Sequence, residues 1–206
     1  TDYEDLKTEG GAVHTMCQYT SPQPSPNCGT YSNAHITAAD KETILKVHND
    51  ERQKVKAGQE TRGNPGPQPA ASNMPDLTWD NELAAIAQRW VNQCKIGHDG
   101  CRNVERYQVG QNIAMSGSTA KGPCNMNNLV QMWINEVNAL NAADVSSMPS
   151  DGNYFMKIGH YTQLVWGKTT KVGCGIIQFL DGKFYKCYLA CNYGPAGNMF
   201  GAPIYQ

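Results

Sequence analysis

Apolar positions recur at helical spacing in three stretches of the chain, then give way to a strand pattern near its end. The first stretch follows "TAAD", where Thr37 can cap a helix with Asp40 three residues on. Ile44, Val47, His48, Glu51 and Val55 then share one face, and the helix should stop near Gly58. The second is "LTWDNELAAIAQRWVNQC", with Leu83, Ile86, Ala87, Trp90 and Cys94 in one stripe and Thr78 or Asp80 as its cap. The third runs through "NMNNLVQMWINEVNAL" and aligns Leu129, Trp133, Glu136, Val137 and Leu140. "CGIIQFLDGKFYKCYLAC" is instead β-branched and aromatic, broken by Asp181-Gly182, a dipeptide favoured in two-residue hairpins.

The stretches between are less patterned. Residues 1–36 read as irregular, with "SPQPSPNCG" punctuated by proline, and Cys17 and Cys28 are expected to pin them to the body. "TRGNPGPQPAASNMP" predicts a stiff, exposed loop of polyproline character. Residues 97–124 look loose, and 141–153 read as a polar loop before the strands. No segment repeats, and no strand-helix-strand alternation suggests a doubly wound sheet. The expectation is an α+β fold in one domain, residues 37–206: an α-β-α sandwich with a central antiparallel sheet flanked by helices.

The length of 206 residues suits a single domain with a sizeable core. The 17 Lys and Arg against 18 Asp and Glu leave no basic excess, which sets nucleic acid aside as a partner. No apolar run approaches the roughly 20 residues that cross a bilayer, so a transmembrane protein is not expected. Eight cysteines lack the paired knuckles of structural zinc, and disulfides in an oxidising compartment explain them better. The start, "TDYEDLKTEGG", has no basic-then-apolar signal pattern and reads as a mature secreted chain. There is no Asn-x-Ser/Thr sequon.

Glu136 is the oddity among these positions: a carboxylate on an apolar helix face needs a partner, because unpaired burial is costly. His160, at the head of an apolar segment, and His98, in the loop after the second helix, are the candidates by type. If the three meet, a helix face and a strand edge share a polar pocket. His48 on its helix face reads as structural, donating to a backbone carbonyl or to a neighbour such as Glu51.

"GHYTQLVWGKT" (159–169) and "YLACNYGPAGNM" (188–199) resemble the two signature segments of the CAP superfamily, the cysteine-rich secretory, antigen-five and pathogenesis-related proteins. "VHTMCQY", "HNDERQ", "RGNPGPQP" and "YQVGQN" extend the likeness to the hymenopteran venom antigen-five allergens over nearly the whole chain. The resemblance implies the α-β-α sandwich, secretion in venom or saliva, and recognition by antibodies as an allergen; it names no host receptor. It also implies a cavity tetrad of His98, Gln111, Glu136 and His160, where many relatives carry a glutamate in place of Gln111. An amide there carries no charge and accepts no proton at neutral pH. No cofactor is required, but His98, His160 and Glu136 would suit a weakly bound zinc with an open position. A hydrolase would need a nucleophile beside a base, and no Gly-x-Ser-x-Gly elbow is present; Ser116 or Ser118 in "MSGST" could be nominated only by hand. Apolar helix faces leave room for the other reading, a carrier of fatty acid or sterol in a channel between helices. The expectation is a non-enzymatic protein.

The resemblance pairs Cys28 with Cys94 and Cys174 with Cys191. Antigen-five relatives carry two further N-terminal cysteines, where this chain has Glu4 and Thr8 nearby. Cys17 and Cys101 are thus expected to pair with each other, leaving Cys124 to Cys187 by elimination. A strict turn at Asp181-Gly182 would set Cys174 opposite Leu189, and Cys191 would then be a diagonal neighbour about 7–8 Å away, too far for a bridge. Either the loop differs from that turn or the pairing does.

Overall fold

The proline-punctuated N-terminal segment holds more order than its sequence suggests in the computed structural model, which describes residues 2–8 and 10–206. It carries a one-turn helix, α1 (Thr15–Gln18), a 3-10 turn over Pro26–Cys28 and a two-residue strand, β1 (Tyr31–Ser32). Hydrogen bonds do much of the tethering that cysteines were expected to do. Thr15 Oγ1 donates to buried Asp99 at 2.5 Å, Arg89 to the Tyr19 carbonyl at 2.7 Å, and Asn92 Nδ2 to the Pro22 carbonyl at 3.1 Å. Cys28 is bridged to Cys94. The expected Cys17–Cys101 bridge is not formed, and both residues are free thiols. Their backbones run close, since Thr15 N–H donates to the Cys101 carbonyl at 2.9 Å, but Cys101 Sγ is turned to the Leu6 carbonyl at 2.8 Å.

Thr37 caps α2 (Ala38–Lys56) through the expected capping box: its hydroxyl accepts from Asp40 N–H, and the Asp40 carboxylate accepts from Thr37 N–H. The second helix starts later than its pattern. Thr78–Trp79 form a short strand, β2, so Asp80 is the cap of α3 (Asn81–Val91), accepting from Leu83 N–H at 2.9 Å. α4 (Met126–Ile134) gives way to a 3-10 turn at Asn135–Ala139, which rotates Glu136 off the α4 stripe. The largest departure is α5 (Gly152–Leu164), capped by Asp151. The sequence reading put this stretch in a polar loop and a strand edge. Ile158, Tyr161 and Leu164 are buried at helical spacing, and the β-branched and aromatic residues around them mimic a strand. The loop at 61–75 is not simply exposed: Gln68 is buried and donates to the Arg62 and Leu140 carbonyls at 3.0 Å each, and Met74 is buried too.

Three long strands complete the fold: β3 (Gly110–Ser118), β4 (Lys171–Asp181) and β5 (Phe184–Gly194). The sheet order is β1-β4-β5-β3, antiparallel, with β2 lying parallel on β4. β3 falls in the stretch expected to be loose, because its glycines and small polar residues have weak strand propensity; nine paired positions with β5 hold it. Side chains alternate across β4. Val172, Cys174 and Ile176 join α2, α4 and α5 in the larger core, while Ile177 packs with Val91 of α3 on the other face. Gly173 and Gly175 let α3 lie directly on that face, since a Cβ on Gly175 would come 2.4 Å from Gln88 Cα. Gln88 in turn bonds both the N–H and the carbonyl of Ile176 with its side chain. The result is the α-β-α sandwich expected.

The hairpin resolves the cysteine conflict by one position. Asp181 pairs with Phe184, so the two-residue turn is Gly182-Lys183, and Cys174 stands directly opposite Cys191 at a Cα distance of 4.1 Å. No longer loop or bulge is needed. Cys124, just before α4, is bridged to Cys187 on β5.

Candidate functional site

His98, Gln111 and His160 come together around one cavity of about 220 Å³, with Asn112, Phe155, Met156, Gly159 and Asn198 completing the wall. His160 reaches it from helix α5, not from a strand edge. Its ring stacks on Trp133 of α4 with centroids 6.2 Å apart, and Trp133 Nε1 donates to the Ile113 carbonyl on β3. Glu136 stands behind His160 rather than beside the cavity. Its Oε2 takes His160 Nδ1 at 2.7 Å, while Oε1 accepts the backbone N–H groups of His160 and Tyr161 at 2.9 and 3.1 Å. The carboxylate therefore ties the His160 ring and the backbone of α5 to the turn that follows α4. Its histidine partner is the one expected, whereas the expected place in the cavity tetrad is corrected: Glu136 does not line the cavity.

His98 lies at the cavity mouth, exposed on one side, and donates from Nδ1 to Gln111 Oε1 at 2.7 Å. The amide orientation is fixed because Gln111 Nε2 donates onward to Asp99 and Asn192 at 3.2 and 3.0 Å. Packing lowers the His98 pKa, and the Gln111 bond opposes that shift. Gln111 is thus hydrogen-bonded at both ends of its amide, as its residue type allows without a charge. Nε2 of His98 and Nε2 of His160 have no protein partner among the described residues.

Asn112, Asn192 and Tyr193 were missed. Asn112 donates to the His160 carbonyl at 2.9 Å and to Tyr193 Oη at 3.3 Å, and Tyr193 bonds His48 Nε2 at 2.7 Å. His48 Nδ1 faces the Ile44 carbonyl at 2.8 Å, which fixes that nitrogen as the donor. Burial pushes the His48 pKa down to about 4, so this ring is the neutral, structural one expected. The polar residues of "GQN" and "CNY", interrupting what turn out to be paired strands, were the available signal.

A second polar cluster lies across Tyr161. Tyr161 donates to Glu51 at 3.0 Å, and Arg62 contacts Glu60 at 2.9 Å and Glu51 at 3.5 Å. Burial, then the neighbouring Glu60, raises Glu51 to about 8; Glu60, though buried, is drawn down to about 2 by Arg62. The two carboxyls titrate as a pair, with Glu51 the one pushed toward its protonated form. Beside it, fully buried Arg52 donates to the carbonyls of Pro75, Leu164, Trp166 and Thr169. The groove between α2 and α4 above this cluster, about 520 Å³, has Lys46, Asp50, Glu51, Lys54 and Arg62 in its wall. Ser116 lies four residues past Asn112 on β3, about 13 Å away at the usual strand rise. With Ser118 it lines a different cavity, so neither serine is brought to His160.

A disulfide-bridged α-β-α sandwich with two histidines facing one cavity defines a class of small domains. Residues 45–193 match the Cysteine-rich secretory protein family, and the chain belongs to this family, CAP. It is similar to Venom allergen 3 homolog of Dinoponera quadriceps, 56% identical over all of this chain and 90% of that protein. Venom allergen 5 of Vespula flavopilosa is 50% identical over all of this chain and 98% of its own length. Among solved structures, that of NaASP2 with Zn2+ is 27% identical, covers 86% of this chain and 90% of its own, and has a TM-score of 0.67. No helix among the described residues is long and apolar enough to cross a membrane.

Proposed function

We propose that this chain is a secreted, non-enzymatic venom protein of the antigen-five type and an antibody-binding allergen. The observation that carries the reading is full-length similarity to venom allergens of ants and wasps at half or more of all positions. Absence of catalysis is supported by the site: Glu136 is spent on His160 and α5, Gln111 cannot take a proton, and neither Ser116 nor Ser118 lines the histidine cavity. Antibodies raised against Venom allergen 5 of Vespula flavopilosa should bind the folded chain. Peptide and ester substrates should be turned over no faster by wild type than by His160→Ala. Turnover lost in that variant would overturn the non-enzymatic reading, and failure of the antibodies to bind would overturn the allergen reading.

The pair of unengaged Nε2 atoms favours a second role, weak zinc binding. His98 and His160 would hold the ion and Glu136 would orient His160 from behind, as carboxylates commonly do for ligand histidines. Glu136 is not itself free to be the third ligand, and Gln111 is a poor one. Among the described residues no group of three or more His, Cys, Asp or Glu side chains is placed to hold a metal, so two imidazoles are the ligands on offer. Bound zinc would supply a Lewis acid. Calorimetric titration with zinc should show binding that either His98→Ala or His160→Ala abolishes.

A further inference from the structure

A separate cavity of about 370 Å³ lies between Trp166 and the C-terminal segment. Trp166, Pro195, Met199, Ala202, Ile204 and Tyr205 supply its apolar wall, and no residue is shared with the histidine cavity. The wall is held in place from four sides. Gly167 N–H donates to the Ile204 carbonyl at 2.9 Å, Ile204 N–H to Val145 at 2.8 Å, Ala196 N–H to Gln108 at 2.8 Å, and Tyr205 Oη to the Pro69 carbonyl at 2.7 Å. The pocket is therefore preformed, which limits the ordering a ligand must impose. Met199, 52% exposed, is an unbranched and adaptable side chain in the wall. The one cation in the lining is Lys168, exposed and without an ion pair or hydrogen bond among the described residues.

We propose that this pocket binds a small amphiphilic anion, with its apolar body against Pro195, Met199 and Ala202 and its acidic end at Lys168. At about 30 Å³ for each water-sized group, the volume holds about a dozen non-hydrogen atoms. That fits a medium-chain fatty acid or a phenylalkanoic acid and is too small for a sterol. An apolar wall with one charged group at its edge is the usual make-up of a small-molecule site of this size. The inference is independent of the venom-allergen reading and of zinc at the histidines.

The full chain is titrated with decanoate, 3-phenylpropionate and decanol, followed by calorimetry and tryptophan fluorescence. Either acid should bind saturably, one per chain, with a Kd on the order of 0.1 mM. Decanoate and 3-phenylpropionate separate a chain-shaped pocket from a ring-shaped one, and binding by either sustains the proposal. Lys168→Ala should weaken the acids about tenfold while decanol is little affected. Ala202→Phe should abolish binding by filling the pocket, and Met199→Glu at an exposed position should repel the acids without threatening the fold. Trp166→Phe should keep the calorimetric binding and lose the fluorescence change. Absence of saturable heat up to about 2 mM acid would overturn the proposal, as would binding that Ala202→Phe and Met199→Glu both leave intact. Concentration-dependent dimerisation abolished by Met199→Glu would also overturn it, by making a second copy of the chain the occupant.

Discussion

Glu51 and Glu136 are both carboxylates that the sequence sets on apolar helical faces, and the fold handles them in opposite ways. Glu51, 5% exposed, is packed against Glu60 and Tyr161, and burial forces it to keep its proton. Glu136 is given three donors at once: two backbone N–H groups and an imidazole. One solution closes a core; the other leaves a histidine ring oriented toward a cavity. Burial alone therefore does not mark a functional acid. What distinguishes the two is whether the partner is itself left with an open face.

The largest effect should come from the closed region. Arg52→Met strands four carbonyl acceptors and should destabilise the fold by about 3–5 kcal/mol, read from chemical denaturation. A loss below about 1 kcal/mol would mean that the cluster is not the structural half of the pair. Glu136→Ala should cost about 1–3 kcal/mol by removing the carboxylate that His160 Nδ1 and two backbone N–H groups share, and Glu136→Gln, which keeps one acceptor oxygen, should cost less. Equal losses for the two variants would show that the hydrogen bonds are not what Glu136 supplies.

A smaller, pH-dependent difference follows from Glu51. Its folded pKa, about 8, lies above the ordinary 4.5, so its contribution is fully present below pH 4.5 and is lost as pH rises toward 8. His48, lowered to about 4, works against it: its contribution is present above pH 6.5 and is lost as pH falls toward 4. Comparing wild type with Glu51→Gln isolates the first effect, because His48 is common to both. The variant should gain on wild type steadily between pH 5 and 8, whereas a constant difference would place no titrating proton on Glu51. The smallest change is at the open site. Gln111→Glu should tighten zinc binding about tenfold by restoring a charge beside His98, measured by calorimetry. Unchanged affinity would detach Gln111 from the cation site.

The helices at 38–56 and 81–91 were legible because their caps and stripes are local, as were the late strands with their β-branched residues. β3 and α5 were not. β3 is built from glycine and small polar residues that become a strand only when β5 pairs with them, and α5 spells its helix in residues that favour strands. Half of the site followed the same division. His98, Gln111, Glu136 and His160 could be named from residue type and family likeness, and Glu136 could be matched with a histidine because an apolar face makes a lone carboxylate conspicuous.

What the sequence determined by itself was the list of elements with strong local signals, the family, and which side chains needed partners. The tertiary structure alone decided how those needs are met: Glu136 behind His160, Gln111 tied to Asp99 and Asn192, the hairpin shifted to Gly182-Lys183, and Cys17 and Cys101 left as thiols. The physical reason is range. Caps and periodic stripes act within a few residues, whereas hydrogen-bond partners, strand register and sulfur contacts are chosen among groups that are far apart in the chain and become neighbours only when the layers close.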